Sequence, residues 1–223
     1  MNAVPDKYTQ YAKAVTDGQI VAGELIKLTC QRYLSWFDKD DRYFDCDAAD
    51  RPVKFISKLK HTTGKFNGKP FILQDWQEFL VYHIFGWKWK ETGTRVIRNA
   101  YIQIARKCGK TSLLSAIALY CLMCDGEAGA EVDICAPSRD QSNICFTSAK
   151  NYAESINKGS LLRSMRNVII FPKTKSKIKT MSSDSKFGDG FNTSLGIIDE
   201  YAAFNEMILQ TLLLHLWVLV SSL

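Results

Sequence analysis

Apolar positions recur at helical spacing through the first 45 residues: Tyr8, Tyr11, Ala12 and Val15, then Ile20, Leu25, Ile26 and Leu28. That period predicts helices there. Asp47 can cap a further helix running to Leu59, with Phe55, Ile56 and Leu59 along one side. Thr62-Thr-Gly64 and Asn67-Gly-Lys-Pro70 have turn chemistry, and residues 75–85 read as another helix with Trp76, Phe79, Leu80 and Ile84 on its spacing. From Val96 the pattern changes to strands and helices in alternation. Strands are predicted over 96–104, 131–136 and 194–198, and helices over 109–124 and 140–156. Leu113, Leu114, Ile117 and Tyr120 form the apolar stripe of the first of these helices. Residues 168–171 and 177–181 read as a strand pair. This alternation argues for a parallel sheet covered by helices. The segment 208–220 is strongly apolar but short for a membrane span, and Gln210 and His215 interrupt it. It reads as a core helix whose partner sheet is incomplete, or as sequence foreign to the fold.

Between the predicted strand and helix lies Ile102-Gln-Ile-Ala-Arg-Lys-Cys-Gly-Lys-Thr-Ser112. A strand, a tight turn and a helix N-terminus in that order suit a bound phosphate. Gly109 allows close backbone approach, Lys110 supplies a point charge, and Thr111 offers a hydroxyl to a magnesium ion. The usual pattern G-x-x-x-x-G-K-[ST] is incomplete, because Ile104 stands where its first glycine belongs. A second element strengthens this reading. Leu195-Gly-Ile-Ile-Asp-Glu200 is an apolar run ending in two carboxylates, and ligands gather at the carboxyl ends of parallel strands. Asp199 then faces a metal and Glu200 a water; the alternative use of Asp199 is to cap a helix.

The chain has 223 residues, 46% of them apolar and 23% charged, enough for a sizeable core and unlike a disordered protein. Its net charge of +6 leans mildly toward polyanionic partners. The distribution of charge says more. From Ser155 to Ser183 there are Lys158, Arg163, Arg166, Lys173, Lys175, Lys177 and Lys179, and no acid. In a strand the last four would share one face. They would either guard a sheet edge or touch a phosphate backbone without sequence preference. The first 20 residues lack a secretory core, and seven cysteines, an odd number, suit a reducing cytosol. Cys121-x-x-Cys124 falls on a predicted helix with no second Cys or His pair nearby, so buried thiols are expected rather than a metal.

The order of these pieces resembles a known family. Tyr43-Phe-Asp-Cys-Asp-Ala-Ala-Asp-Arg51, Gly68-Lys-Pro-Phe-Ile-Leu-Gln-Asp-Trp-Gln77, Ala105-Arg-Lys-Cys-Gly-Lys-Thr111, Ser182-Ser-Asp184 with Gly188-Asp-Gly190, and Ile197-Ile-Asp-Glu200 follow one another as in the ATPase half of the phage terminase large subunit, HK97-like type. The likeness covers roughly residues 40–206. It implies an α/β P-loop NTPase with a mostly parallel, helix-covered sheet, preceded by an N-terminal helical region. The implied layout is a helical region over 1–70, an ATPase core over 71–206 and an apolar tail of doubtful origin over 207–223. No nuclease signature follows Asn205, so DNA cutting is not expected of this chain.

The resemblance also implies roles. Trp76 and Gln77 correspond to an adenine-recognition motif. Arg106 corresponds to the arginine of that family's phosphate-loop variant, which would stabilise charge on the transferring phosphoryl group. Lys107, Cys108, Gly109, Lys110, Thr111 and Ser112 complete the ATP-binding turn, Thr111 and Asp199 hold Mg2+, and Glu200 orients water. Arg139 is a candidate arginine finger or a solvated residue at a helix start. Lys173, Lys175, Lys177 and Lys179 are candidate DNA contacts. ATP and magnesium are the implied cofactors. Double-stranded DNA, a terminase small subunit, a portal protein and a homo-oligomeric ring are the implied partners, in the cytoplasm of the bacterial host and with no membrane association. Two other readings stay open: a catalytically silent prophage remnant that binds nucleotide, DNA or partner subunits, and a helicase-like translocase.

Overall fold

The computed structural model describes residues 5–105, 107–157, 161–182, 193–204 and 218–222. The chain divides into two units, one of residues 1–55 with 72–97 and one of residues 56–71 with 98–223.

Aromatic rings hold the first unit together. Helices α1 (Gln10–Thr16), α2 (Glu24–Ser35) and α4 (Asp75–Gly86) bring Ala12, Val15, Cys30, Tyr33 and Phe79 onto Trp87. The rings of Tyr33, Trp36 and Phe44 meet Trp87 nearly edge-on, with centroids 5.4 to 5.8 Å away. That is the geometry the ring quadrupoles favour. Tyr33 donates its hydroxyl to the Tyr8 carbonyl at 3.0 Å, so its polar end is satisfied inside the core. Strand β1 (Arg42–Phe44) pairs antiparallel with β2 (Trp87–Trp89), a pairing the sequence pattern did not signal. Gly86 makes the crossing of α4 and β1 feasible, since a Cβ there would strike the Phe44 ring. Helix α3 (Cys46–Ile56) ends three residues short of the predicted Leu59, whose N–H closes a turn onto the Ile56 carbonyl at 2.9 Å.

The second unit is built on a sheet with strand order β3-β9-β8-β4-β7-β6-β5. The strands are β3 (Asn99–Gln103), β4 (Glu131–Ala136), β5 (Arg163–Ser164), β6 (Val168–Phe171), β7 (Ser176–Ser182), β8 (Thr193–Ile198) and β9 (Val218–Ser222). Pairing is parallel from β3 through β9, β8 and β4 to β7, and antiparallel in the β7–β6–β5 margin. Helices α5 (Lys110–Met123) and α6 (Arg139–Ile156) pack on each other and against β4 and β7. The expected α/β architecture with a mostly parallel, helix-covered sheet is therefore what the chain adopts. Sequence reasoning expected one apolar stripe on α5, but every residue from Leu113 to Leu122 is buried. A helix covered all round needs apolar or small residues throughout, and Ser115 and Ala116 serve beside the leucines.

Two further expectations change. Strand β7 is interior, between β4 and β6, so its lysines do not guard a sheet edge. Residues 218–222 of the apolar tail form a strand and not a helix, inserted in parallel between β3 and β8. The rest of that tail, 207–217 and Leu223, lies outside the described residues, as do the 183–192 segment and Lys158.

His83 in α4 supplies a test of the aromatic core. It is buried among Tyr33, Trp36 and Phe79, and its Nε2 has no hydrogen-bond partner among the described residues. Burial first, and the Arg32 charge second, push its pKa down to about 3. The unfolded chain, with an ordinary histidine near 6.5, then binds more protons than the folded chain between those two values. Stability attributable to a neutral His83 should be lost as pH falls from about 6.5 toward about 3. His83→Phe should flatten that limb of a thermal-unfolding profile. Parallel profiles for the two proteins would overturn this account.

Candidate active site

The phosphate-binding turn has the backbone its sequence demands. Between the end of β3 and the start of α5, Lys107 and Gly109 take positive φ angles of 67° and 82°. Glycine reaches that region without strain, whereas Lys107 does so at a cost that turns at ligand sites commonly carry. Gly109 is the N-cap of α5 and leaves the first amides of the helix without a side-chain cap. Open amides at a helix start form a ready anion site. Ser115 anchors the first turns of α5: its hydroxyl lies 2.7 Å from the Thr111 carbonyl and 2.9 Å from the Cys145 carbonyl of α6.

Lys110, the first residue of α5, reaches the carboxyl end of β8. Its Nζ lies 2.9 Å from Asp199 Oδ1 and 3.3 Å from Glu200 Oε1. The side chains of Lys110 and Asp199 are 13% and 9% exposed, so water screens this contact little. Burial disfavours the lysine charge, but the Asp199 and Glu200 carboxylates outweigh it and the Lys110 pKa is raised. Asp199 extends the β8–β4 ladder by one residue, with its N–H donating to the Cys135 carbonyl at 2.9 Å. Glu200 then turns out of the strand in the left-handed conformation, φ 58° and ψ 48°. Its N–H returns to Asp199 Oδ1 at 3.0 Å, and a short 3-10 turn over Tyr201–Ala203 follows. A non-glycine residue in that region is uncommon and concentrates at functional sites. Lys110 thus lies between two carboxylates at the strand end. Carboxylate oxygens are hard ligands of the kind a magnesium ion takes.

The family model for the terminase large subunit, ATPase domain, matches residues 75–216. This chain belongs to that family. It is 26% identical over 129 residues to the terminase large subunits of Lactococcus phages p2 and SK1, a match covering 54% of this chain and 24% of each relative. The chain thus spans about a quarter of the length of those curated relatives. The large terminase of bacteriophage HK97 shares the fold with a TM-score of 0.63 at 21% identity, over 78% of this chain and 37% of that one.

Against this terminase frame the residues singled out by sequence fall into three groups. Lys110, Asp199 and Glu200 converge, with Gly109, Cys108 and Lys107 in the adjoining turn. Thr111 and Ser112 sit in the first turn of α5. Arg106 lies outside the described residues. Trp76 and Gln77 open α4 in the other unit. Gln77 Oε1 accepts the Gln74 N–H at 2.9 Å, and Trp76 Nε1 donates to Gln74 Oε1 at 2.8 Å, so both side chains are engaged in capping that helix. Arg139 is the exposed first residue of α6, after the Ser138 cap.

The lysine stripe separates in two. Lys173 and Lys175 are exposed in the β6–β7 turn and not in a strand. Lys177 pairs with Glu131 at 2.8 Å, and Lys179 with Glu131 at 3.0 Å and Asp133 at 3.6 Å. The register of β4 against β7 sets Glu131 beside Lys177 and Asp133 beside Lys179. Asp133 is buried, which raises its carboxyl pKa despite a hydrogen bond from the Thr193 hydroxyl. Sequence reasoning missed these acids, since only strand pairing brings them to the lysines.

Lys110→Met should destabilise the fold by ~1–3 kcal/mol at neutral pH, because it removes the cation that lies 2.9 Å from the largely buried Asp199 carboxylate. The double variant Lys110→Met/Asp199→Asn should recover part of that loss. Additive effects in urea unfolding would show that the pair contributes no coupling.

Proposed function

We propose that this chain hydrolyses ATP as the motor part of a terminase that drives double-stranded DNA into a procapsid. The observation that carries the reading is Lys110 held between Asp199 and Glu200 at the mouth of an uncapped, phosphate-type helix start. In this reading the γ-phosphoryl group displaces the carboxylates from Lys110, whose charge then neutralises phosphate oxygens. The open amides of α5 hold the remaining oxygens. Glu200 accepts a hydrogen bond from the attacking water and orients it in line with the bond to the leaving ADP. Water adds to phosphorus as that P–O bond breaks, giving ADP and inorganic phosphate. Magnesium would offset charge on the β and γ oxygens, with Asp199 and the Thr111 hydroxyl as its protein partners. Arg106 is the proposed further source of positive charge, Arg139 a proposed finger residue, and Trp76 with Gln77 the proposed adenine contact.

Lys173 and Lys175 are proposed DNA contacts, whereas Lys177 and Lys179 already have acids beside them. The proposed partners of the intact motor are a small subunit, a portal and further copies of the chain in a ring, within the bacterial cytoplasm. Among the described residues no helix is long and apolar enough to cross a membrane.

Lys110→Ala should abolish phosphate release. Glu200→Gln should retain ATP binding while turnover drops on the order of a hundredfold or more, as loss of a positioned catalytic group does. Asp199→Asn should instead weaken magnesium-dependent binding. Unchanged release in Lys110→Ala would sink the assignment. Nucleotide binding by the parent with no turnover, even with DNA present, would favour the silent-fragment reading.

A further inference from the structure

The outer side of α6 and the turn before β6 form an open cleft of about 360 Å³ in the second unit. Six of its residues carry hydrogen-bond donors: Asn143, Thr147, Lys150 and Asn151 from α6, and Arg166 and Asn167 from the turn. Asn143, Thr147 and Asn151 recur every four residues, so they stand in one row about 12 Å long. One acid, Glu154, also lines the cleft, 4.0 Å from Lys150. No ion pair to Arg166 occurs among the described residues, and Arg163 is exposed three positions earlier. The residues that line this cleft do not include the Lys110 cluster, and the sequence pattern grouped Arg166 with the neighbouring lysines without singling out Lys150.

Donor-rich, weakly cationic surfaces of Arg, Lys, Asn and Thr are what contact phosphate and sugar oxygens. A mononucleotide site would enclose most of its ligand, whereas this cleft is open along the helix and suits an extended polyanion. We propose that the α6 cleft contacts the phosphate backbone of double-stranded DNA, with Arg166 and Lys150 supplying charge and the three asparagines hydrogen bonding to phosphate oxygens. The inference rests on the motor reading and moves most of the DNA contact from the lysine stripe to this cleft. Lys177 and Lys179 are neutralised by Glu131 and Asp133; among the described residues Lys150 is paired with one acid, and Arg166 forms no ion pair.

The test is a fluorescence-anisotropy titration of a labelled duplex oligonucleotide across roughly 50 to 200 mM salt. Lys150→Gln/Arg166→Gln should reduce the slope of log affinity against log salt by about 1.8, and Arg166→Gln alone by about 0.9. Lys177→Gln should leave the slope unchanged. Retained ATP binding in the cleft variants checks that they fold. Unchanged slopes in both cleft variants, or no duplex binding by the parent, would overturn the inference. Failure of the parent to bind ATP would instead refute the proposed hydrolase, whatever the DNA titration gave.

Discussion

Lys110 Nζ can lie 2.9 Å from Asp199 and 3.3 Å from Glu200 only if a helix start and a strand end that are far apart in sequence are held within reach of one lysine side chain. Much of the second unit serves that constraint. The β8–β4 ladder runs one residue past β8 through the Asp199 amide, which fixes the carboxylate at the sheet's rim. Helix α5 is buried all round and tied to α6 through Ser115, so the lysine at its first position cannot drift. The ion pair follows from that packing, and the packing is apolar: Ile134, Ile197, Leu113 and Ile117 are fully or almost fully buried. Hydrophobic burial supplies the stability, and the charged cluster uses the rigidity it creates.

The same site is strained. Glu200 sits in the left-handed region, where glycine would be easier to accommodate, and Lys110 lies between its carboxylate and that of Asp199. Strain of this kind concentrates at functional sites. Lys177 and Lys179 are matched by Glu131 and Asp133 in register across the parallel ladder, which leaves little unbalanced charge.

In the first unit, rings around Trp87 do what aliphatic layers do in the second. Edge-on contacts among Tyr33, Trp36, Phe44 and Trp87 need particular approach angles, and Gly86 exists to permit one of them. His83 is held there at the expense of its ability to protonate.

By itself the sequence determined the alternation of strand and helix after Val96, the turn at Gly109, the candidacy of Lys110, Asp199 and Glu200 for one site, and the family. Those features are local: a glycine at positive φ, a lysine opening a helix and carboxylates ending an apolar run each depend on a few adjacent residues. Tertiary structure decided what depends on neighbours distant in the chain. It placed β9 between β3 and β8, where an apolar tail had no sequence signal for its partner. It took Lys177 and Lys179 out of the free charge by setting Glu131 and Asp133 opposite them, and it gathered Asn143, Lys150, Asn151 and Arg166 into one cleft. Strand pairing and helix packing are long-range choices, fixed by which surfaces bury together, and no short window of residues encodes them.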